Sequence, residues 1–148
     1  MKPMQIIYIL TFTAFIILGV VYFQQKPKQG NFYFPTHNLN IKVELAQSIA
    51  QQAKGLMYRE KLDENAGMLF VFSNEAKRTF WMKNTYISLD LIYISQDKKI
   101  IEIKGNLEPC RENDCPTYTS AVEAQYVLEV NAGFVQKNNI QIGEEVVF

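Results

Sequence analysis

The chain has 148 residues, 48% of them hydrophobic and 20% charged, with 15 basic side chains against 15 acidic ones. That length fits one domain with an appendage, the apolar content excludes a disordered chain, and the balanced charge gives no footprint for nucleic acid. Two cysteines are too few for a disulfide-built miniprotein, and a single histidine leaves little for metal or triad chemistry.

From Met4 to Phe23, 16 of 20 residues are apolar, and the exceptions (Gln5, Thr11, Thr13, Gly19) carry no charge. Twenty helical residues span about 30 Å, the hydrocarbon thickness of a bilayer. The run passes into Gln24-Gln25-Lys26-Pro27-Lys28 without a small-x-small cleavage site or a cysteine for lipidation. This predicts an uncleaved transmembrane anchor over residues 1–23, with a cleaved signal peptide as the alternative. Lys2 on one side and Lys26 and Lys28 on the other leave orientation undecided by charge. Residues 24–37, with Pro27, Gly30 and Pro35, read as a tether that lifts a domain at 38–148 off the membrane.

The cysteines bear on orientation. Cys110 and Cys115 enclose four residues, and no second pair or nearby histidine completes a four-ligand zinc site. A local disulfide accounts for them better than free thiols, and closing so short a loop stabilises by roughly 2 kcal/mol. Disulfides persist in oxidising compartments, which places the body outside the cytoplasm. Removing the three lysines of residues 1–28 leaves 12 basic against 15 acidic residues, a mildly acidic body.

In the body, Ile41, Val43 and Leu45 alternate with polar residues as a half-buried strand does. Ala46, Ile49, Ala53, Leu56 and Met57 then recur at helical spacing, with Ser48 as the expected N-cap. Gly55 either ends that helix or permits close packing. Met68 to Phe72 is a continuous apolar run, expected of a strand covered on both faces. Further strands are predicted at Thr79–Lys83, Leu89–Ser95, Ile100–Lys104, Tyr126–Val130 and Glu145–Phe148. Gln96 to Lys99 forms a turn with Lys98 and Lys99 at a solvated tip, and Gly133–Lys137 is at most a short helix. The expected architecture is α+β, mostly antiparallel, with one principal helix on a strongly curved sheet or small barrel.

Several segments together are not generic. Gly55-Leu56-Met57-Tyr58-Arg59, Gly67-Met68-Leu69-Phe70 and Phe80-Trp81-Met82-Lys83-Asn84-Thr85 come first, followed by Leu89-Asp90. Pro109-Cys110…Cys115-Pro116 and Tyr126-Val127-Leu128-Glu129-Val130-Asn131-Ala132-Gly133 complete the set. In this order and spacing the chain resembles the "domain of unknown function 192" family from about Ile41 to Phe148. The resemblance implies a compact, mostly β domain, often exported behind a signal or anchor, and carries no established activity. Ser88 stands where many relatives have proline, which implies a looser turn.

Arg59, Asn84, Asp90 and Glu129 are polar residues within those motifs. Arg59 could clamp a carboxylate or phosphate, with Asn84 and Thr85 adding neutral hydrogen bonds, and Trp81 could stack on a sugar or other planar ligand. The expected ligand-binding set is therefore Arg59, Trp81, Asn84, Thr85 and Asp90. The structural alternative has Asp90, on one strand face with Ile92 and Ile94, tying down the backbone of residues 84–88. It has Arg59 pairing with Asp90 or Glu129. An enzymatic alternative makes Asp90 and Glu129 a hydrolase-like acid/base pair. Nucleophilic catalysis has no support, because His37 stands alone and the cysteines are expected to be joined. Met57, Met68 and Met82 could bind Cu(I), although methionine in apolar runs usually fills core.

The sequence reading is thus a single-pass membrane protein, held through residues 4–23, whose outer domain binds a small polar ligand or an envelope protein. A hydrolase-like enzyme and a structural interaction module are the alternatives. No cofactor, metal or nucleic acid is implied.

Overall fold

The computed structural model describes residues 27–148. Eight strands and two short helices follow in order: β1 (Lys28–Phe34), β2 (Leu39–Ala46), α1 (Ile49–Lys54), β3 (Ala66–Ala76), β4 (Thr79–Trp81) and β5 (Leu89–Ile94). After them come β6 (Ile100–Leu107), β7 (Thr117–Thr119), β8 (Ala124–Asn131) and α2 (Phe134–Lys137). Six strands form one sheet in the order β1-β2-β3-β8-β5-β6, while β4 and β7 pair as a separate ribbon. Only β2 and β3 run parallel; every other strand pair is antiparallel.

Successive side chains on a strand point to opposite faces, so each central strand serves two cores. Leu69 of β3, Ile92 and Ile94 of β5, and Leu128 and Val130 of β8 join Phe32, Phe34, Ile41 and Val43 on the first face. Phe134 of α2, Ile140 and Val146 close that core. On the second face Met68, Phe70, Leu89, Leu91, Tyr93 and Val127 pack with Leu56 and Met82. Phe80 of the β4–β7 ribbon meets Phe70 edge-on at 4.9 Å and Tyr93 at 6.2 Å, covering this second core. The apolar run of β3 is accordingly buried on both sides, and β5 is buried at all of its residues.

Helix α1 opens with a capping box. Ser48 Oγ accepts from the Gln51 N–H at 3.3 Å, and Gln51 Oε1 accepts from the Ser48 N–H at 3.0 Å. It ends at Gly55, whose φ of 47° suits glycine and whose Cβ, were there one, would lie 3.2 Å from Phe70 Cζ. Leu56 and Met57 therefore belong to the following turn rather than to the helix. Gly67 is required by close approach: a Cβ there would sit 2.6 Å from the Glu129 carbonyl oxygen.

Four expectations need correction. The stretch expected to be tether contains β1, because Phe32 and Phe34 are fully buried and hold Lys28–Phe34 against β2. The sheet is not a closed barrel: its outer strands, β1 and β6, do not pair with each other. Residues 145–148 make no strand; Val147 exchanges backbone hydrogen bonds with Tyr33 on β1, and Val146 donates to the Lys98 carbonyl. Lys98 is not a freely solvated tip, since its Nζ lies 3.6 Å from the Tyr126 ring centre and 3.4 Å from that of Phe148. Burial there lowers its pKa. Among the described residues no helix is long and apolar enough to cross a membrane; the anchor expected over residues 4–23 lies outside them.

Candidate functional site

Asp90, at the start of β5, is buried on the first face. Its Oδ1 accepts from the backbone N–H of Asn106 at 2.8 Å and of Gly133 at 3.2 Å, and its Oδ2 from that of Val135 at 3.0 Å. A carboxylate with three backbone donors is structurally committed. It fastens β6 and α2 to β5, and not the backbone of residues 84–88.

Glu129 is opposite Leu91 in the β5–β8 register, whereas Asp90 is opposite Val130. Directly paired residues share a face and consecutive ones do not, so Asp90 and Glu129 lie on opposite faces of the sheet. The acid/base pair is not formed. Glu129 is buried among apolar neighbours, its Oε2 has no hydrogen-bond partner, and burial pushes its carboxyl up to about 8. It holds a proton at neutral pH because an ion there would be neither solvated nor paired.

Arg59 meets neither carboxylate. Its Nη2 donates to both carboxylate oxygens of Glu44, at 2.7 Å each, a half-buried pair linking the 59–65 loop to β2. The loop walls a cleft of about 760 Å³ that is also lined by residues of β1 and β2.

The neighbouring Tyr58 belongs to a different surface. Its backbone N–H donates to the Asn84 carbonyl at 2.7 Å, and Asn84 Nδ2 donates to Tyr58 Oη at 3.0 Å. Both residues have positive φ, 64° for Tyr58 and 55° for Asn84. For a bulky aromatic residue this costs on the order of 1–3 kcal/mol, sustained here by the reciprocal bonds. The ring it holds out is 60% exposed, and Tyr86 packs edge-on to it at 6.1 Å. Arg111 Cζ lies 4.6 Å from the Tyr86 ring centre, and Lys83 Nζ lies 5.4 Å from that of Trp81, which is 48% exposed. Beneath them Thr85 is buried and its N–H donates to the Met82 carbonyl, closing the turn that aims Lys83 and Asn84 outward.

The disulfide Cys110–Cys115 supports this turn directly. Cys110 donates its N–H to the Met82 carbonyl at 3.1 Å and accepts the Asn84 N–H at 2.8 Å. Its loop thereby brings Arg111 to Tyr86.

A family model described as uncharacterized ACR, the domain of unknown function 192, matches residues 33–148. The chain belongs to the DUF192 family. Two solved structures share the fold. One is a protein of unknown function from Novosphingobium aromaticivorans DSM 12444, 32% identical at a TM-score of 0.76, covering 82% of this chain and 86% of its own. The other, from Sinorhizobium meliloti 1021, is provisionally described as a transcription regulator. It is 31% identical at a TM-score of 0.76, covering 84% of this chain and 96% of its own. No curated protein matches the chain.

Within this DUF192 domain the five residues expected to form one ligand site are divided. Asn84 joins Tyr58, with Thr85 buried in the adjoining turn; Trp81 is exposed beside Lys83, Arg59 lines the cleft, and Asp90 is a backbone fastener. Met68 and Met82 fill the second core. Sequence reasoning missed Tyr58, Lys83, Tyr86 and Arg111. A signal was present for three of them, since Tyr58 and Lys83 lie within the motifs and Tyr86 follows one directly; Arg111 is placed by the disulfide loop.

Proposed function

We propose that this protein is a membrane-anchored binding module whose domain faces the oxidising side of the membrane and captures an acidic saccharide. The observation that carries the reading is the strained Tyr58, locked to Asn84 by mutual hydrogen bonds so that an aromatic ring is held in solvent. Preorganised exposed rings cost stability and suit stacking on the apolar face of a sugar. Lys83 and Arg111 supply cations for its carboxylate. The apolar run at residues 4–23 and the disulfide support the anchor and the compartment.

Trp81 is the sole tryptophan, so its emission reports on its own exposed position beside Lys83. Titrating the full chain in detergent with an oligomer of glucuronic acid should give a saturable change in Trp81 emission. The change should weaken about tenfold in Arg111→Ala, one charge-assisted contact, with the melting temperature unchanged. An emission that does not respond, or that responds equally to a neutral glucose oligomer, refutes the reading.

A further inference from the structure

The cleft over β1 and β2 is separate from the aromatic surface, and its chemistry differs. Its floor and wall carry both signs of charge without internal use. Among the described residues neither Lys42 nor Lys61 has an ion-pair partner, and neither does Asp63. By contrast Glu44 is taken by Arg59, and Glu64 by Lys137. Only Nη2 of Arg59 is engaged by Glu44, which holds the guanidinium at the wall with Nε and Nη1 unbonded to described side chains.

The neutral groups point the same way. The side-chain amides of Asn40 on β2 and Asn65 in the loop line the cleft and bond to no described residue. An amide offers one acceptor and two donors, the complement of a peptide group. No aromatic side chain lines the cleft, so the stacking that favours a saccharide on the other surface is missing. A volume of about 760 Å³ accommodates a few amino-acid residues.

We infer that this cleft is a second binding site, for a short peptide with free termini. Lys42, Lys61 and the open donors of Arg59 take its carboxylate, Asp63 takes its ammonium group, and Asn40 and Asn65 bond its amides. Neutral polyols lack the charges that this arrangement leaves unpaired. Simple anions would leave Asp63 unused.

The probe is trialanine, followed by NMR of the ¹⁵N side-chain amides in the full chain in detergent. Dose-dependent shifts at Asn40 and Asn65 are expected, with Trp81 emission unmoved. Acetylated, amidated trialanine should bind about tenfold more weakly or worse, for each lost charge contact. Lys61→Ala should weaken trialanine similarly while leaving the melting temperature unchanged. Three outcomes overturn the inference. These are no shift at Asn40 or Asn65 up to about 10 mM peptide, at the weak end of specific recognition; equal binding of the blocked peptide; and equal shifts with maltotriose, which would make the cleft a polyol site. Because the readouts are local to each surface, failure here leaves the saccharide reading intact, and the converse also holds.

Discussion

Replacing Glu129 by glutamine removes a proton that the fold holds against its intrinsic tendency to leave. Burial raises this carboxyl from 4.5 to about 8, and its Oε2 has no internal partner. In the unfolded chain the group ionises near its ordinary value; in the folded chain it does not. Below pH 4.5 both states hold the proton and the folded form carries no penalty. Between pH 4.5 and 8 the unfolded state releases it alone, so stability falls as pH rises; above 8 both states are ionised and the loss stops growing. At 1.36 kcal/mol per unit, the shift amounts to a loss of about 5 kcal/mol, comparable to the whole stability of many domains. For a domain of about 120 residues the slope corresponds to a fall of roughly 5 °C in melting temperature per pH unit. Glu129→Gln keeps the shape and cannot titrate. Thermal melts of both proteins from pH 5 to 9 should therefore diverge, the variant overtaking the parent as pH rises and the gap levelling off above pH 8. Parallel melting profiles would show that Glu129 is ionised and compensated in the folded state, and the reasoning would fail.

Other substitutions probe the remaining assignments. Asp90→Asn loses charge-assisted acceptance of three backbone donors and should destabilise by about 3 kcal/mol, measured by urea unfolding; a change below 1 kcal/mol would free Asp90 for another role. Phe32→Ala should cost about 3–5 kcal/mol in the same assay, whereas a tether residue would cost nothing. Lys98→Ala should cost about 1–2 kcal/mol through its lost aromatic contacts, an effect that persists in high salt. In intact cells, Cys110 and Cys115 should resist maleimide labelling until a reductant is added; labelling without reductant would contradict the oxidising location.

The sequence was readable where local rules dominate. Alternation located β2, the continuous apolar run located β3, and Ser48 marked the helix start. Strand parity also put Asp90 on one face with Ile92 and Ile94, as observed. What was hidden depends on distant partners. β1 carries only two buried aromatic anchors beside Gly30 and a preceding Pro27, so its strand character appears only once Phe32 and Phe34 have a core to enter. The Arg59 partner, Glu44, sits on the polar side of a strand fifteen residues earlier, indistinguishable there from a solvated residue. The separation of Asp90 from Glu129 follows from the β5–β8 register, which no local pattern encodes. Nothing in the residue types announces positive φ at Tyr58, because tyrosine disfavours it.

The crossing of residues 146–148 over the sheet bears on when the molecule can finish folding. Phe148 stacks on Phe32 at 5.0 Å and Val147 bonds to Tyr33, so β1 reaches its final surroundings only after more than a hundred further residues have been made. During synthesis β1 and β2 can pair as a hairpin, but the first core stays open on that side. Until residues 146–148 are made, the first core lacks Val146 and β1 lacks its contacts with Val147 and Phe148. The topology thus ties the completion of β1 to a segment far along the chain, a non-local contact of the kind that slows folding.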